Sequence, residues 1–348
     1  MSIPLYQVII DDILNKIETG FYKSGTMLPS ENDLCKHYKV SRITSKRALN
    51  ELEKLKVIKR VQGKGSFVTQ KHPNELSSYD ILCLIPYPDT PSFGNYSSGF
   101  LSVFDEYGLN LHMRDSLNLT KEFVDSIKDK YKGVLYYPQT NEEALEFTSN
   151  LLYQGVPCVL LDKDFVGIPY SSITSDNMDG MYLAAKELIE NGSKNLKFVT
   201  STKIESHSSV MERFLGFVEA KKEYNHPFSY HDDILIIDSE SQLEDLIKGL
   251  IDVGCDGIVC ENDIQAIRII NKFKSMDLDI IPIIGFDNIQ ASEMSVPTLS
   301  TVQQDFHKIG EIAAQTLIET ILVPNTPIKK VKVKTQLIIR QSSQGDTK

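Results

Sequence analysis

The 348-residue chain contains no apolar run approaching the ~18–20 residues that a membrane-spanning helix needs. Its opening stretch, MSIPLYQVIIDDILNKIE, acquires carboxylates before the apolar core of a secretion signal could form, so the chain is expected in the cytoplasm and away from membranes. Cysteine is sparse and odd in number, with Cys35, Cys83, Cys158, Cys255 and Cys260 scattered and no CxxC pair. Neither a disulfide framework nor a zinc site fits that spacing. Cys83, Cys158 and Cys260, inside ILCLI, PCVLL and GIVC, read instead as small core hydrophobes. No GxSxG elbow, phosphate-binding loop or HExxH is found, and neither a metal nor a cofactor is expected. Positive charge is also short, 37 lysines and arginines against 47 acidic residues, for a net charge of −10.

That shortage is unevenly shared. Residues 1–72 hold 13 basic and 7 acidic side chains, a balance of +6, which leaves 24 against 40, or −16, for the remainder. A basic module joined to an acidic one implies two domains, and the length exceeds the ~100–200 residues usual for one. The polar, proline-containing stretch TQKHPNELSSYD places the boundary: a domain over 1–70, a linker over 71–78, and a second domain over 79–345.

In the basic module, Val8, Ile9, Ile13 and Ile17, with Leu5 a turn earlier, give helical spacing stopped by Gly20. Ser30 followed by Asp33 is an N-cap signal for a short second helix over about 31–38. Ser41 caps a third, in which Ala48, Leu49, Leu52 and Leu55 form an apolar stripe. Two helices joined this tightly make a helix-turn-helix. Arg42, Ser45 and Lys46 stand three or four residues apart and so share the opposite face of the third helix. A basic amino-terminal turn is what a recognition helix presents to base edges and phosphates. The following VIKRVQGKGSFV reads as a hairpin whose tip carries Gln62, Gly63 and Lys64, a wing able to approach the sugar-phosphate backbone closely. Double-stranded DNA is the implied partner.

The stretch LPSENDLCKHYKVSRITSKRALNELEKLKVIKRVQGKGSFV resembles the winged-helix domain of GntR-type bacterial transcription regulators. The resemblance implies DNA contacts at Glu31, Arg42, Thr44, Lys46, Gln62, Gly63 and Lys64, with Tyr6 as a further phosphate contact. The chain departs from the family pattern at Ile43 and Ser45, which leaves base preference there open.

Beyond the linker, apolar strand-like runs alternate with helical stretches, the pattern of parallel sheets covered by helices, as one large sheet or two smaller lobes. Ligands in such folds lie at the carboxyl ends of strands. Polar residues that end apolar runs are therefore the candidates: Asp162 after CVLL, Asn262 after GIVC and Asp287 after IPIIGF, with Arg213 able to converge on them. Carboxylate, amide and guanidinium groups with the aromatic surfaces of Tyr96 or Phe306 suit a polyhydroxylated ligand such as a sugar, since each hydroxyl both donates and accepts.

GVPCVLLD, SDNMDGMYLAAKELIENGSKNLKFV, RFLGF, DGIVCENDIQAI, IIGFDN and LSTVQQDFHKIGEIAAQTLIE are similar, in order, to the effector domain of LacI-type repressors, which is related to type I periplasmic sugar-binding proteins. That resemblance implies a two-lobed α/β domain with sugar contacts at Asp162, Ser209, Arg213, Asn262, Asp287 and Phe306, and a further one from the loop around Phe93–Tyr96. It also implies three crossings between lobes, placed near 177, 302 and 327. Lobe 1 would then be 79–177 with 303–326, and lobe 2 178–302 with 327–345. An α+β winged helix-turn-helix followed by such a domain resembles the arabinose-responsive repressors. The implied function is a dimeric repressor whose operator affinity follows a small sugar, a pentose such as L-arabinose. Two rival readings remain. His207 beside Ser208 and Ser209 keeps a sugar-processing enzyme open, and the first module could pair with a protein instead of DNA. Sugar turnover and salt-sensitive DNA affinity separate these.

Overall fold

The computed structural model describes residues 4–344 apart from 19–20, 24, 55–56, 62, 69–78, 87–94, 118, 166 and 324. The linker expected over 71–78, together with Gly20, Leu55, Gln62 and Phe93, lies outside the described residues. The chain divides into two compact units, Met1–Ser78 with Glu106–Leu109, and Tyr79–Asp105 with Asn110–Lys348.

The first unit packs α1 (Leu5–Glu18), α2 (Glu31–Tyr38) and α3 (Arg42–Lys54) beside an antiparallel hairpin of β1 (Ile58–Val61) and β2 (Gly65–Val68). Helix α2 begins in a capping box: the Asp33 amide donates to Ser30 Oγ, and the Ser30 amide donates to Asp33. It ends at Lys39 with φ 51°, the left-handed turn that redirects the chain into α3. Ser41 Oγ accepts from the Thr44 amide at the start of α3. Ile9, Ile10, Ile13 and Ile17 of α1 meet Leu34, Ala48, Leu49, Leu52, Val57 and Val68 in one core. The buried stripe of α1 is therefore rotated from the expected one: Ile10 is inside, whereas Val8 and Leu5 are 42% and 60% exposed.

The second unit holds two six-stranded sheets. The chain first builds β3 (Asp80–Ile85), α4 (Tyr96–Tyr107), β4 (Asn110–Asp115), α5 (Lys121–Lys130), β5 (Gly133–Tyr136), α6 (Asn141–Gln154), β6 (Cys158–Leu161) and β7 (Ser171–Ser175). It then crosses at Asp176 into α7 (Asn177–Glu190), β8 (Leu196–Thr200), α8 (Ser208–Glu223), β9 (Ile234–Ile236), α9 (Leu243–Asp252), β10 (Gly257–Cys260), α10 (Asp263–Ser275), β11 (Ile283–Asp287) and β12 (Ser300–Gln303). Helix α11 (Phe306–Leu322) returns to cover β5, β6 and β7, and β13 (Lys330–Val333) and β14 (Gln336–Ile338) finish the sheets. The first sheet runs β13-β7-β6-β5-β3-β4 and is wholly parallel. The second runs β14-β12-β11-β10-β8-β9, with only β14 antiparallel.

The strand β13 corrects the lobe boundaries. It pairs in parallel with β7, Lys330 opposite Ser172 and Val333 opposite Ser175, so the chain stays in lobe 1 past 327. The third crossing is the short step between Val333 and Gln336, and the second follows Gln303, the last residue of β12. Both sheets are buried on two faces, which is why their central strands read as unbroken apolar runs.

Candidate functional site

At the end of the first unit where DNA contacts are expected, Arg42 opens α3 and Glu31 opens α2. Arg42 Nε donates to Glu31 Oε2 at 3.3 Å, and Arg60 Nη2 donates to Glu31 Oε1 at 2.6 Å. Burial tends to raise the Glu31 carboxyl, but the two guanidinium groups outweigh it and hold it below the usual carboxylate range. The bridge to Arg42 leaves that side chain 73% exposed, oriented but free to meet a partner. Arg60, on β1, also donates to Asn50 Oδ1 at 2.5 Å and so ties the wing to α3; sequence reasoning did not single it out. Lys46 and Lys64 are exposed, and Thr44 is half-buried. Gly63, with φ 75°, shapes the hairpin tip, where the Lys64 amide donates to the Val61 carbonyl. The Tyr6 ring lies under the Arg47 guanidinium at 4.0 Å. Ser45 differs from its expected place on the basic face. It is fully buried, its hydroxyl donating to the Arg42 carbonyl and lying 3.2 Å from Cys35 Sγ, because it faces α2.

In the second unit a cavity of about 220 Å³ lies at the carboxyl ends of the strands of both sheets. Tyr96, Asp162, Ser209, Arg213, Asn262, Asp287 and Phe306 all line it. The fold explains the convergence. Asp162 follows β6, Asn262 follows β10 and Asp287 ends β11, while Tyr96, Ser209 and Phe306 lie in the first turns of α4, α8 and α11.

Two close helix crossings fix the walls. A side chain at Gly99 would meet the His307 carbonyl at 2.1 Å, and one at Gly310 would meet the Tyr96 carbonyl at 2.4 Å. Backbone-to-backbone contact of α4 with α11 places the rings of Tyr96 and Phe306 5.0 Å apart, edge to face. Gly216 does the same for α8 against α7, where an added carbon would lie 2.1 Å from the Met178 carbonyl. That crossing lets Arg213 Nε donate to Asn177 Oδ1 at 2.8 Å, beside the first crossing between lobes.

Arg213 is the centre of the polar network. Its Nη1 donates to the Glu261 carbonyl at 2.5 Å, its Nη2 is 3.6 Å from Asp287 Oδ1, and its guanidinium lies 3.8 Å from the Phe286 ring centroid. Asp162 Oδ2 accepts from Lys163 Nζ at 2.9 Å. Burial pushes the Asp162 carboxyl up, but Lys163 and Arg213 more than offset it and hold the group ionised below its ordinary range. For Asp287 burial wins over Arg213, helped by repulsion from Asp263 and Asp162, and the carboxyl titrates above its ordinary range. Both residues sit on left-handed backbone, φ 66° at Asp162 and 116° at Asp287, which costs of order 1–3 kcal/mol for each residue lacking glycine's freedom. Asn262 serves twice, lining the cavity and capping α10 by accepting from the Gln265 amide at 2.9 Å.

Sequence reasoning missed Tyr137, Gln139, Lys163, Thr202, Glu261 and Gln304 as parts of this lining, and treated His207 only as a rival's catalytic base. The rule that polar residues ending apolar runs line the site, extended past β5 and β8, would have found Gln139 and Thr202.

A winged helix-turn-helix with an oriented arginine on its first turn, followed by two α/β sheets with a polar cavity at their strand ends, is the architecture of a transcription regulator with an effector domain. Residues 5–68 match the model for bacterial regulatory proteins of the gntR family, and residues 185–343 match the periplasmic binding protein-like domain. The chain thus joins a gntR-type DNA-binding domain to a periplasmic binding protein-like domain, and the curated relatives it matches are named as transcriptional repressors and regulators. It is 22% identical to the arabinose metabolism transcriptional repressor of Geobacillus stearothermophilus, over 99% of this chain and 98% of that one. It is 24% identical to the ribose operon repressor of Halalkalibacterium halodurans, over 90% and 96%. Among solved structures it is similar in fold to the transcription regulator CcpA of Lactococcus lactis, with a TM-score of 0.67, 19% identity and 76% and 99% coverage. A LacI family regulator from Enterococcus faecium with bound ribose gives a TM-score of 0.65, 21% identity, and 77% and 100% coverage. Among the described residues no helix is long and apolar enough to cross a membrane.

Proposed function

We propose that this protein is a repressor whose grip on operator DNA is set by a small sugar bound in the second unit. The observation that carries this reading is the meeting of the seven residues expected from the sequence, from six separate segments, in one polar cavity. Its volume, about 220 Å³, is on the scale of a site for one small molecule. Arginine, aspartate and asparagine around facing aromatic rings match the mixed donor, acceptor and apolar surface of a monosaccharide.

In this reading Arg42, Thr44 and Lys46 meet the major groove, and Glu31 orients Arg42. The wing residues Gln62, Gly63 and Lys64 meet the backbone or minor groove, and Tyr6 adds a phosphate contact. The protein works in the cytoplasm as a homodimer, and two winged helices read a pseudo-palindromic operator whose half-site spacing matches the dimer. Sugar acts by favouring the state that fits the operator less well, and a coupling of ~1–3 kcal/mol changes operator affinity roughly 5–150-fold. L-arabinose is the leading effector, since relatives named as arabinose repressors align over nearly the whole chain. D-ribose is the second reading, favoured by ribose repressors at similar identity. A thermal-shift panel of pentoses and hexoses tests both, because a ligand that binds only the folded state raises the melting temperature. A selective rise with L-arabinose supports the leading reading, a rise with D-ribose replaces it, and no rise with any sugar refutes the sugar assignment.

A further inference from the structure

Each charged side chain on the cavity wall has its charge answered within the protein. Lys163 lies 2.9 Å from Asp162, with its ammonium 4.0 Å from the centroid of the Tyr137 ring. Arg213 is shared between Asn177, the Glu261 carbonyl and Asp287. The Glu261 carboxylate accepts from the Thr200 hydroxyl at 2.6 Å, the Ser201 amide at 2.7 Å and the Ser201 hydroxyl. Two cations thus stand against three carboxylates, a balance of −1, or zero when Asp287 keeps its proton. Neither count leaves a cation for an incoming anion. Taking Lys163 for such an anion would strand the buried Asp162 carboxylate, an arrangement far costlier than the intact pair.

The wall atoms that do lack partners are all on uncharged groups. Among the described residues, seven buried side-chain nitrogen or oxygen atoms have no hydrogen-bond partner, and three of them, Gln139 Nε2, Thr202 Oγ1 and His207 Nδ1, belong to this one lining. Buried polar atoms are ordinarily paired, so their concentration here marks where a ligand's own polar groups go. Burial, with the nearby Lys163 ammonium, lowers the His207 pKa and keeps the ring neutral.

We infer that the effector is an uncharged monosaccharide, excluding sugar phosphates, aldonates and uronates, and that Gln139, Thr202 and His207 recognise its hydroxyls. This rests on the sugar reading above and narrows it. A hydroxyl can accept from the Gln139 amide, exchange either role with Thr202, and meet whichever imidazole nitrogen form His207 presents.

The test is titration calorimetry on the full chain with neutral pentoses and hexoses, each beside its aldonate, uronate and phosphate. The neutral member should bind at least about tenfold tighter than every charged counterpart. A charged member binding as well or better overturns the inference but leaves the sugar reading standing; no binding by any member overturns both. For two of the three residues, Gln139→Met and Thr202→Val should each weaken the preferred neutral sugar about tenfold while leaving the melting temperature of the free protein unchanged. Each loss should disappear for one deoxy analogue, the one lacking the hydroxyl that the residue meets. Equal losses on every analogue, or none, overturn the assignment.

Discussion

The Gln304 side-chain amide donates to Asp287 Oδ1 at 2.6 Å, and the oxygen of the same amide accepts from Ser175 Oγ at 2.5 Å. One side chain therefore joins a carboxylate of the cavity to the strand end where the chain first changes lobes. Arg213 makes the parallel link from Asp287 to Asn177. A ligand that engages Asp287 or Arg213 necessarily competes for, or reinforces, bonds that hold the crossings, which is the physical content of a coupling between cavity and lobe geometry.

Substituting these residues should separate sensing from reading. Asp287→Ala or Arg213→Ala should keep operator affinity within about threefold of the parent and abolish the response to sugar, measured by fluorescence anisotropy of labelled operator. A full response in both variants would remove the cavity from the account.

The recognition helix carries a different signature. Arg42→Ala should cost ~1–3 kcal/mol at one base position and relax selection there, read by in vitro selection of binding sites. Glu31→Gln should broaden the same position more weakly, because Arg42 loses its orienting carboxylate at 3.3 Å. Unchanged selectivity in Arg42→Ala would show that α3 does not read bases.

Lys64→Ala, at the wing tip, should weaken binding to nearly all sequences alike. The slope of log affinity against log salt should fall by about one, since one phosphate contact is lost. An unchanged slope would take the wing off the backbone.

Acidity offers an independent handle on Asp287. An unfolded aspartate titrates at about 4, whereas burial raises this one to about 7. Between those two values the folded state holds more protons than the unfolded one, so the contribution of Asp287 to stability is present at low pH and declines as pH rises through that window. The melting temperature of the parent relative to Asp287→Asn should accordingly drift downward from pH 4 toward neutrality. An upward drift would mean that Arg213, not burial, sets the titration.

Close helix approach should be unforgiving. Gly310→Ala puts a carbon 2.4 Å from the Tyr96 carbonyl and forces α4 and α11 apart. Overpacking of this kind costs ~1–3 kcal/mol. It should also weaken sugar binding by displacing the Tyr96 and Phe306 rings, whereas unchanged stability would show that the crossing yields freely.

Much of this was legible because strongly patterned segments advertise themselves. The capping box at Ser30, the apolar face of α3 and the buried central strands each follow from one local rule. The missed strands have the opposite character. β7, SSITS, is fully buried yet polar, because its end serines are hydrogen-bonded, Ser171 accepting from the Lys329 amide just before β13 and Ser175 donating to Gln304 just after β12. β13, KVKV, is an edge strand with exposed lysines, so its place beside β7 comes from pairing and not from hydropathy. Position along α1 misled for a related reason: adjacent Val8, Ile9 and Ile10 allow two stripes, and only packing against Leu49 and Leu52 selects Ile9 with Ile10. In the cavity, residues ending strands were readable, but Gln139, Thr202 and His207 gain meaning only from the partners they lack.

The most direct test of the whole account is one titration. A labelled duplex obtained by in vitro selection on the full chain is held at half saturation, and the neutral sugar that stabilises the protein is added to saturation. The account predicts that operator affinity falls roughly 5–150-fold, with no such fall in Arg213→Ala. Unchanged affinity with the cavity filled would contradict the coupling of sugar to DNA.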